Sequence, residues 1–521
     1  MIRNVLKHAA IYSFASILGK GISFVMLPFY AHMLHGEGYG VIGMLDAALS
    51  FLSSLLSFGI VGSTIRFYND EPADRQPFVI STAMRLMAFG GGALVVLCCL
   101  CSKPLSYVLL GDTKFFLFVA VALIAFWLDL VGGAASTLLL IEQRSTLYSM
   151  FGLLRLVVGL SLNIVLIVTL EWGLWGYFTA VLLTALVWAI PLCWIVIKRV
   201  GFRYDRAIAK KIIDFELPMV PANLVSFASR QAERVLIRLL VGLEGVGILE
   251  MCYKLSTLLP FLLNEPFMRT WFPRSIEIAA NPDGPKVIGR VFTFFLFLAA
   301  FVALVLGTGA DDFLRIMTPP EFWQGATIAR LELLTAVLTG VDSHVVFGLA
   351  YQKLSGVVSW IKTTTSLLKV GLSVMLVSAF GLKGAAYSAL ICVLIQVIWT
   401  IRRSQAVYRI EIEWRKVAVL TSAAIALYCT IILAVSPDFA PVEWLGPRVA
   451  AAITGIAGWI GADTTFGQKL VHVASERGLD IASLAVKSVM CLAYLVCLPL
   501  VNVNLWRELL GILRGARSAS S

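Results

Sequence analysis

The chain has 521 residues, of which 59% are hydrophobic and only 14% charged, with 42 Lys and Arg against 31 Asp and Glu. A soluble domain carries about 25% charged residues, so this composition excludes a water-exposed surface for the whole chain. The formal net charge of +11 does not point to nucleic acid as a partner, because the basic residues gather in loops between apolar runs, as membrane topology requires.

Apolar runs of about 20 residues, enough to cross a bilayer, recur from end to end and predict an all-α polytopic membrane protein of about 14 transmembrane helices. A transmembrane barrel would instead show short alternating segments. The first run follows Met1-Ile2-Arg3-Asn4-Val5-Leu6-Lys7 and reaches Leu34 without a small-residue cleavage site, so it reads as an uncleaved span and not as a signal peptide. Spans are predicted at 9–34, 41–65, 79–101, 115–140, 146–169 and 173–197, an N-terminal six-helix lobe within residues 1–200. A basic cytoplasmic linker, 201–213, carries Arg203, Arg206, Lys210 and Lys211. Spans at 214–240, 245–268, 291–309, 325–350, 355–379 and 384–401 make a second six-helix lobe, 214–403. Two more, 417–435 and 483–503, lie in the remainder, 404–521, where 449–460 is apolar but short and reads as a re-entrant or interfacial helix. With the N-terminus inside, Lys and Arg are in large excess in the inner loops, which places both termini in the cytoplasm.

The two lobes echo each other. Glu37-Gly38-Tyr39-Gly40-Val41-Ile42-Gly43-Met44 and Glu244-Gly245-Val246-Gly247-Ile248-Leu249-Glu250-Met251 share one pattern. Gln143-Arg144, Val158-Gly159-Leu160-Ser161 and Gly173-Leu174-Trp175-Gly176 are answered at nearly the same offset by Gln352-Lys353, Val370-Gly371-Leu372-Ser373 and Gly381-Leu382-Lys383-Gly384. The offset covers six spans, an even number, so both copies face the same way, as in parallel-repeat transporters that build a central substrate path. The E-G-x-G strings themselves read as tight outer turns between consecutive spans. Pro28, Pro260 and Pro266 remove backbone hydrogen bonds within spans and should bend them.

All nine cysteines lie in or beside apolar runs, and Cys98 and Cys101 have no second pair or nearby histidine, so neither a metal site nor a disulfide framework is indicated. Asp311-Asp312 is the nearest thing to a metal-binding acidic pair, and it is expected to be a solvated outer loop. No cofactor is called for: HExxH, P-loop and nucleotide fingerprints are missing, and no soluble segment is large enough for a sugar polymerase or glycosyltransferase domain. The chain therefore does not read as an enzyme.

A charge at a helix centre costs about 2.5–3.5 kcal/mol on insertion scales, so a charge inside a span is a functional candidate. Arg230, Arg234 and Arg238 recur every four residues and line one face of a helix over about 12 Å. Lys20 belongs to the matching span of the other lobe, and Lys362 and Lys369 share one face of theirs. Either these cations line a path for an anion such as a diphosphate, which arginine grips bidentately, or they pair with Glu233, Glu250 or Asp46 and pin the lobes together. Asp46, Asp129 and Glu233 are the candidate coupling carboxylates of a gradient-driven carrier. His344, near Asp342, reads as a hydrogen-bonded core residue. Trp127 and Trp271 could stack on sugars, although interfacial anchoring is the ordinary role.

Gly36-Glu37-Gly38-Tyr39-Gly40-Val41, Leu217-Pro218-Met219-Val220-Pro221, Glu233-Arg234 and Leu243-Glu244-Gly245-Val246-Gly247 resemble the polysaccharide transporter family. That family includes the O-antigen and exopolysaccharide flippases of the multidrug/oligosaccharidyl-lipid/polysaccharide exporter superfamily. The resemblance covers the first twelve spans. It implies two six-helix lobes in a V around a central cavity, and outward flipping of undecaprenyl-diphosphate-linked oligosaccharide across the bacterial inner membrane. It also implies membrane lipids, a polysaccharide polymerase and other assembly proteins as partners, and it makes Arg230, Arg234 and Lys20 the cavity cations. A peptidoglycan-precursor flippase is the nearest rival. A cation-coupled drug exporter is the next, although its cavity should favour acidic residues.

Overall fold

The computed structural model describes residues 26–56, 60–142, 144–217, 231–435, 440–460 and 465–501. Among these residues all regular structure is helical, and 11 helices are long and apolar enough to cross a membrane. The all-α polytopic class is therefore the observed one. Most span edges fall within a few residues of the sequence expectation, because hydropathy ends where the helix meets the headgroups.

The chain divides into two compact units, Met1–Gly247 and Ile248–Ser521. The first contains α1 (Leu27–Leu56), α2 (Ile60–Asp70), α3 (Gln76–Arg85), α4 (Gly92–Leu100), α5 (Ser102–Leu110), α6 (Phe116–Ile141), α7 (Ser145–Asn163), α8 (Gly173–Val200) and α9 (Arg206–Glu216). A further helix, α10, covers 231–240, and α11 (Leu243–Ser256) begins at the end of this unit. Its core is a slab of aliphatic side chains from α3, α6, α8 and α9, among them Val79, Ile80, Met84, Leu138, Leu192, Ile208 and Ile212. A π-helical turn, Leu86–Gly91, joins α3 to α4. The wider turn frees a carbonyl, and Trp127 Nε1 donates to Ala88 O at 3.0 Å. Trp127 thus has a structural task.

The second unit continues with α12 (Glu265–Ala279), α13 (Gly284–Thr308), α14 (Ala310–Met317), α15 (Ala326–Val345), α16 (Phe347–Tyr351), α17 (Ser355–Phe380), α18 (Leu382–Val407), α19 (Trp414–Ala434), α20 (Ala440–Ile460) and α21 (Thr465–Cys491). Helix α13 is its spine. One side packs on α15, which in turn packs on α18, in a cluster that includes Phe295, Leu333, Val337 and Val397. The other takes α19 to α21 through Phe297, Leu304, Leu420, Val442 and Ala482. The C-terminal helices are thus packed into this core.

Three expectations change. The first concerns the E-G-x-G turns. Helix α1 runs through Glu37–Gly40, broken only at His35 (φ 54°, ψ −177°), and α11 likewise includes Glu244–Gly247, with the reversal before it at Gly242 (φ 107°). The motif glycines serve close approach instead. A Cβ on Gly40 would lie 1.9 Å from Leu243 O, and one on Gly247 would lie 2.2 Å from Gly36 O. The contact is reciprocal: the fourth motif position of each copy meets the carbonyl just before the other copy, an isologous pairing of the small-residue kind.

Second, the helix around 449–460 is longer than its apolar stretch: it has 21 residues, starts at Ala440 and tolerates Pro447. Third, the last predicted span is a long helix, α21, that gives way to a 3-10 segment, Leu492–Val501. At Pro260, where the sequence predicts a bend, the chain forms a π-helical segment, Pro260–Asn264. Pro28 lies in the first turn of the described part of α1.

The G-L-x-G echo has one structural meaning in both copies. Gly173 and Gly381 start their helices at φ 55° and 57°. Three residues on, Cβ atoms at Gly176 and Gly384 would lie 2.8 and 2.0 Å from Leu166 O and Leu376 O of the preceding helix.

Candidate functional site

Of the predicted cavity cations, Lys20 and Arg230 lie outside the described residues. Arg234 is half-buried on α10, next to the fully buried Glu233, and donates to Gln231 Oε1 one turn earlier. Adjacent residues point about 100° apart on a helix, so Glu233 can be buried while Arg234 beside it stays partly exposed. Arg238, one turn further on, is occupied otherwise: its Nη2 donates to Tyr107 O at 3.2 Å. That carbonyl belongs to the last turn of α5, which ends at Gly111 with φ 84°. The same carbonyl accepts from Gly111 N at 2.9 Å, so Arg238 is a second donor there, and a cation at a helix C-terminus complements the dipole. Arg238 is a cap.

Two coupling candidates in the first unit are placed as follows. Asp46 lies on α1 with an exposed side chain. Asp129 of α6 accepts from Arg155 Nη2 of α7 at 2.7 Å, and the same guanidinium stands over the Trp188 ring, 4.8 Å from its centroid. The partner of Asp129 is therefore on another helix, where no i, i+4 rule reaches. In the second unit Lys362 is exposed and Lys369 half-buried on α17.

Other intramembrane charges find partners that sequence spacing did not reveal. Asp311 and Asp312 do not form a solvated loop; they open helix α14. Asp311 pairs with Arg330 of α15. Asp312 pairs with Lys487 of α21 at 2.6 Å, with side chains only 7% and 8% exposed. Acidic residues suit the first turn of a helix, and each cancels a cation that would otherwise stand alone in the apolar layer. All nine cysteines are free. Among the described residues no cluster of His, Cys, Asp and Glu could hold a metal.

One polar group inside a span went unnoticed. Gln396 Nε2 of α18 donates to Asp342 Oδ2 at 2.8 Å, and Gln396 Oε1 faces Thr365 Oγ1 of α17 at 3.1 Å. A lone amide inside an apolar span was the available signal. His344 is buried, as expected, but it is not hydrogen-bonded: neither ring nitrogen has a partner, and the ring meets Phe295 edge-on at 4.0 Å.

Residues 5–279 match the model of a family described as polysaccharide biosynthesis protein. No curated protein matches the sequence. Among solved structures, the chain is similar to the lipid II flippase MurJ in an inward closed conformation, with 13% identity and a TM-score of 0.63 over 94% of this chain and 100% of that one. It is also similar to an inward-facing multidrug resistance MATE family transporter of the MOP superfamily, with 14% identity and a TM-score of 0.59 over 78% of this chain and 99% of that one. At such identities the likeness concerns the fold.

Proposed function

The chain belongs to the polysaccharide biosynthesis protein family, and from that premise we propose that it flips undecaprenyl-diphosphate-linked oligosaccharide units outward across the bacterial inner membrane by alternating access. The family match carries the reading, and the fold shared with a lipid flippase supports it. The substrate is a diphosphate on a long apolar tail. Its headgroup needs cations within the bilayer and its glycan needs a wet path. Arg234 is the described residue best suited to the first need: it is half-buried, its helix continues into an apolar layer, and a guanidinium can take two phosphate oxygens at once. Arg230, Lys20, Lys362 and Lys369 are assigned to the same path.

Coupling to an ion gradient falls to Asp46, Asp129 or Glu233. The Asp129–Arg155 pair offers a physical means: a carboxylate that gains a proton releases its guanidinium, which is then free to attract phosphate. Both termini are assigned to the cytoplasm, and a polysaccharide polymerase is the expected neighbour.

A strain lacking the protein tests this. The oligosaccharide intermediate should accumulate on the cytoplasmic face of inner-membrane vesicles, with surface polysaccharide lost. Wild type should restore both, and Arg234→Ala should restore neither. Normal intermediates with a normal surface glycan would overturn the proposal. The similarity in fold to the lipid II flippase favours a second reading, a peptidoglycan-precursor flippase. It predicts instead that the lipid-linked muropeptide is trapped inside and that the cells lyse.

A further inference from the structure

Helix α9, just after the long span α8, has one apolar face that is buried and one exposed face of mixed character. On the buried face Ile208 and Ile212 enter the core, and Phe215 meets Phe67 edge-on at 5.9 Å. The helix is also fastened. Asp205 accepts from the backbone N–H groups of Ala207 and Ile208 at 2.8 and 3.3 Å and pairs with Arg75, while Lys211 reaches Glu71 at 2.7 Å. The direction of the other face is thereby fixed.

That other face is a single line. Arg206, Lys210 and Ile213 of α9, and Leu217, which caps it with helical backbone angles, follow one another at steps of four, three and four, the spacing of one helix stripe, and all are exposed. The line is about 16 Å long at the rise of a helix. Among the described residues neither Arg206 nor Lys210 has an ion-pair or hydrogen-bond partner. Asp214 lies off the line, toward its edge, and Lys211 is already neutralised by Glu71. Water alone suits half of this stripe and apolar core the other half. Two cations, neither of them ion-paired, take the first half of the line, and two aliphatic side chains, 46% and 63% exposed, take the second.

The depth of the helix is marked independently. Trp194 is exposed near the end of α8 with Lys198 Nζ 5.2 Å from its ring centroid, and Phe202 and Tyr204 are exposed between α8 and α9. Such aromatic rings sit at the headgroup level of a bilayer, so α9 starts where phosphates are.

We propose that the Arg206–Lys210–Ile213–Leu217 face of α9 is a binding surface for the anionic headgroups of bulk membrane phospholipid. Arg206 and Lys210 take the phosphates, and Ile213 and Leu217 dip into the acyl boundary. The surface does not depend on what the protein carries.

The test uses the purified full chain in zwitterionic micelles, with lipid binding counted by native mass spectrometry during titration with phosphatidylglycerol or phosphatidylcholine. Wild type should prefer phosphatidylglycerol, and salt should weaken the preference. Removing both cations as Arg206→Gln/Lys210→Gln should weaken phosphatidylglycerol binding roughly 20- to 30-fold, about fivefold per charge. The matched control Arg402→Gln/Arg403→Gln, which removes two exposed cations elsewhere, should leave it intact. Ile213→Ser should weaken both lipids alike. Equal affinity for the two lipids, or equal loss in the control, would overturn the proposal. So would displacement of phosphatidylglycerol by undecaprenyl diphosphate at equal charge, which would make the face part of the substrate path.

Discussion

Adding one methyl group at the paired E-G-x-G motifs should separate two helices. In Gly40→Ala the new Cβ would stand 1.9 Å from Leu243 O, whereas real Cβ atoms essentially never come within 3.0 Å. The helices must therefore part by about 1 Å, because the obstacle is backbone and cannot rotate away. Overpacking of this kind costs about 1–3 kcal/mol, and an immovable obstacle argues for the upper end. For a unit of 247 residues, that lowers the melting midpoint by about 6–12 °C. Gly247→Ala, which meets Gly36 O at 2.2 Å, should do nearly as much. The double substitution is the sharper measurement. Once one methyl has parted the helices, the second finds room, so the combined cost should fall short of the sum by more than about 0.5 kcal/mol. Gly152→Ala is the control, since its Cβ meets nothing within 4 Å, and it should be neutral or stabilising by up to about 1 kcal/mol. The assay is thermal unfolding of the purified protein in detergent, followed by intrinsic fluorescence. If Gly40→Ala melts with Gly152→Ala, or if the two motif substitutions add strictly, the reciprocal contact is not what the glycines are for.

Three further outcomes follow from the packing. Lys487→Met should destabilise by about 3–5 kcal/mol by leaving Asp312 buried and unpaired, and Asp312→Leu/Lys487→Met should recover most of that loss; equal melting of single and double variants would contradict the pairing. His344→Leu should be neutral or stabilising by about 1–2 kcal/mol, since the imidazole is buried without a hydrogen bond, and a marked loss of stability would mean that the ring has a partner. Burial raises the pKa of Asp205, but the N–H groups of Ala207 and Ile208, together with Arg75, outweigh it and hold the carboxyl below the usual carboxylate range. Its capping contribution is thus present above the unfolded value of about 3.9 and lost as pH falls through the folded one. Proteolytic nicking of 201–217 should rise on that acidification in wild type, and Asp205→Ala should already show it at pH 7, by about 1 kcal/mol of cap; a pH-independent cleavage rate in wild type would refute this.

The local physics of the chain determined a great deal. A bilayer imposes one length and one polarity on every span, so the runs at 115–140, 146–169 and 355–379 show in the sequence almost to the residue. The duplicated G-L-x-G strings could be read as a repeat for the same reason, because each repeats a local backbone need: a positive φ and a close carbonyl. The tertiary structure decided the partners. Asp129 finds Arg155 26 positions away, and Asp312 finds Lys487 175 away. Spacing along one helix cannot predict such pairs, because the partner stands on a different helix. The E-G-x-G glycines show the same division. Sequence marked them as special, but whether a missing side chain serves a turn or a contact depends on what stands opposite, and only packing places that.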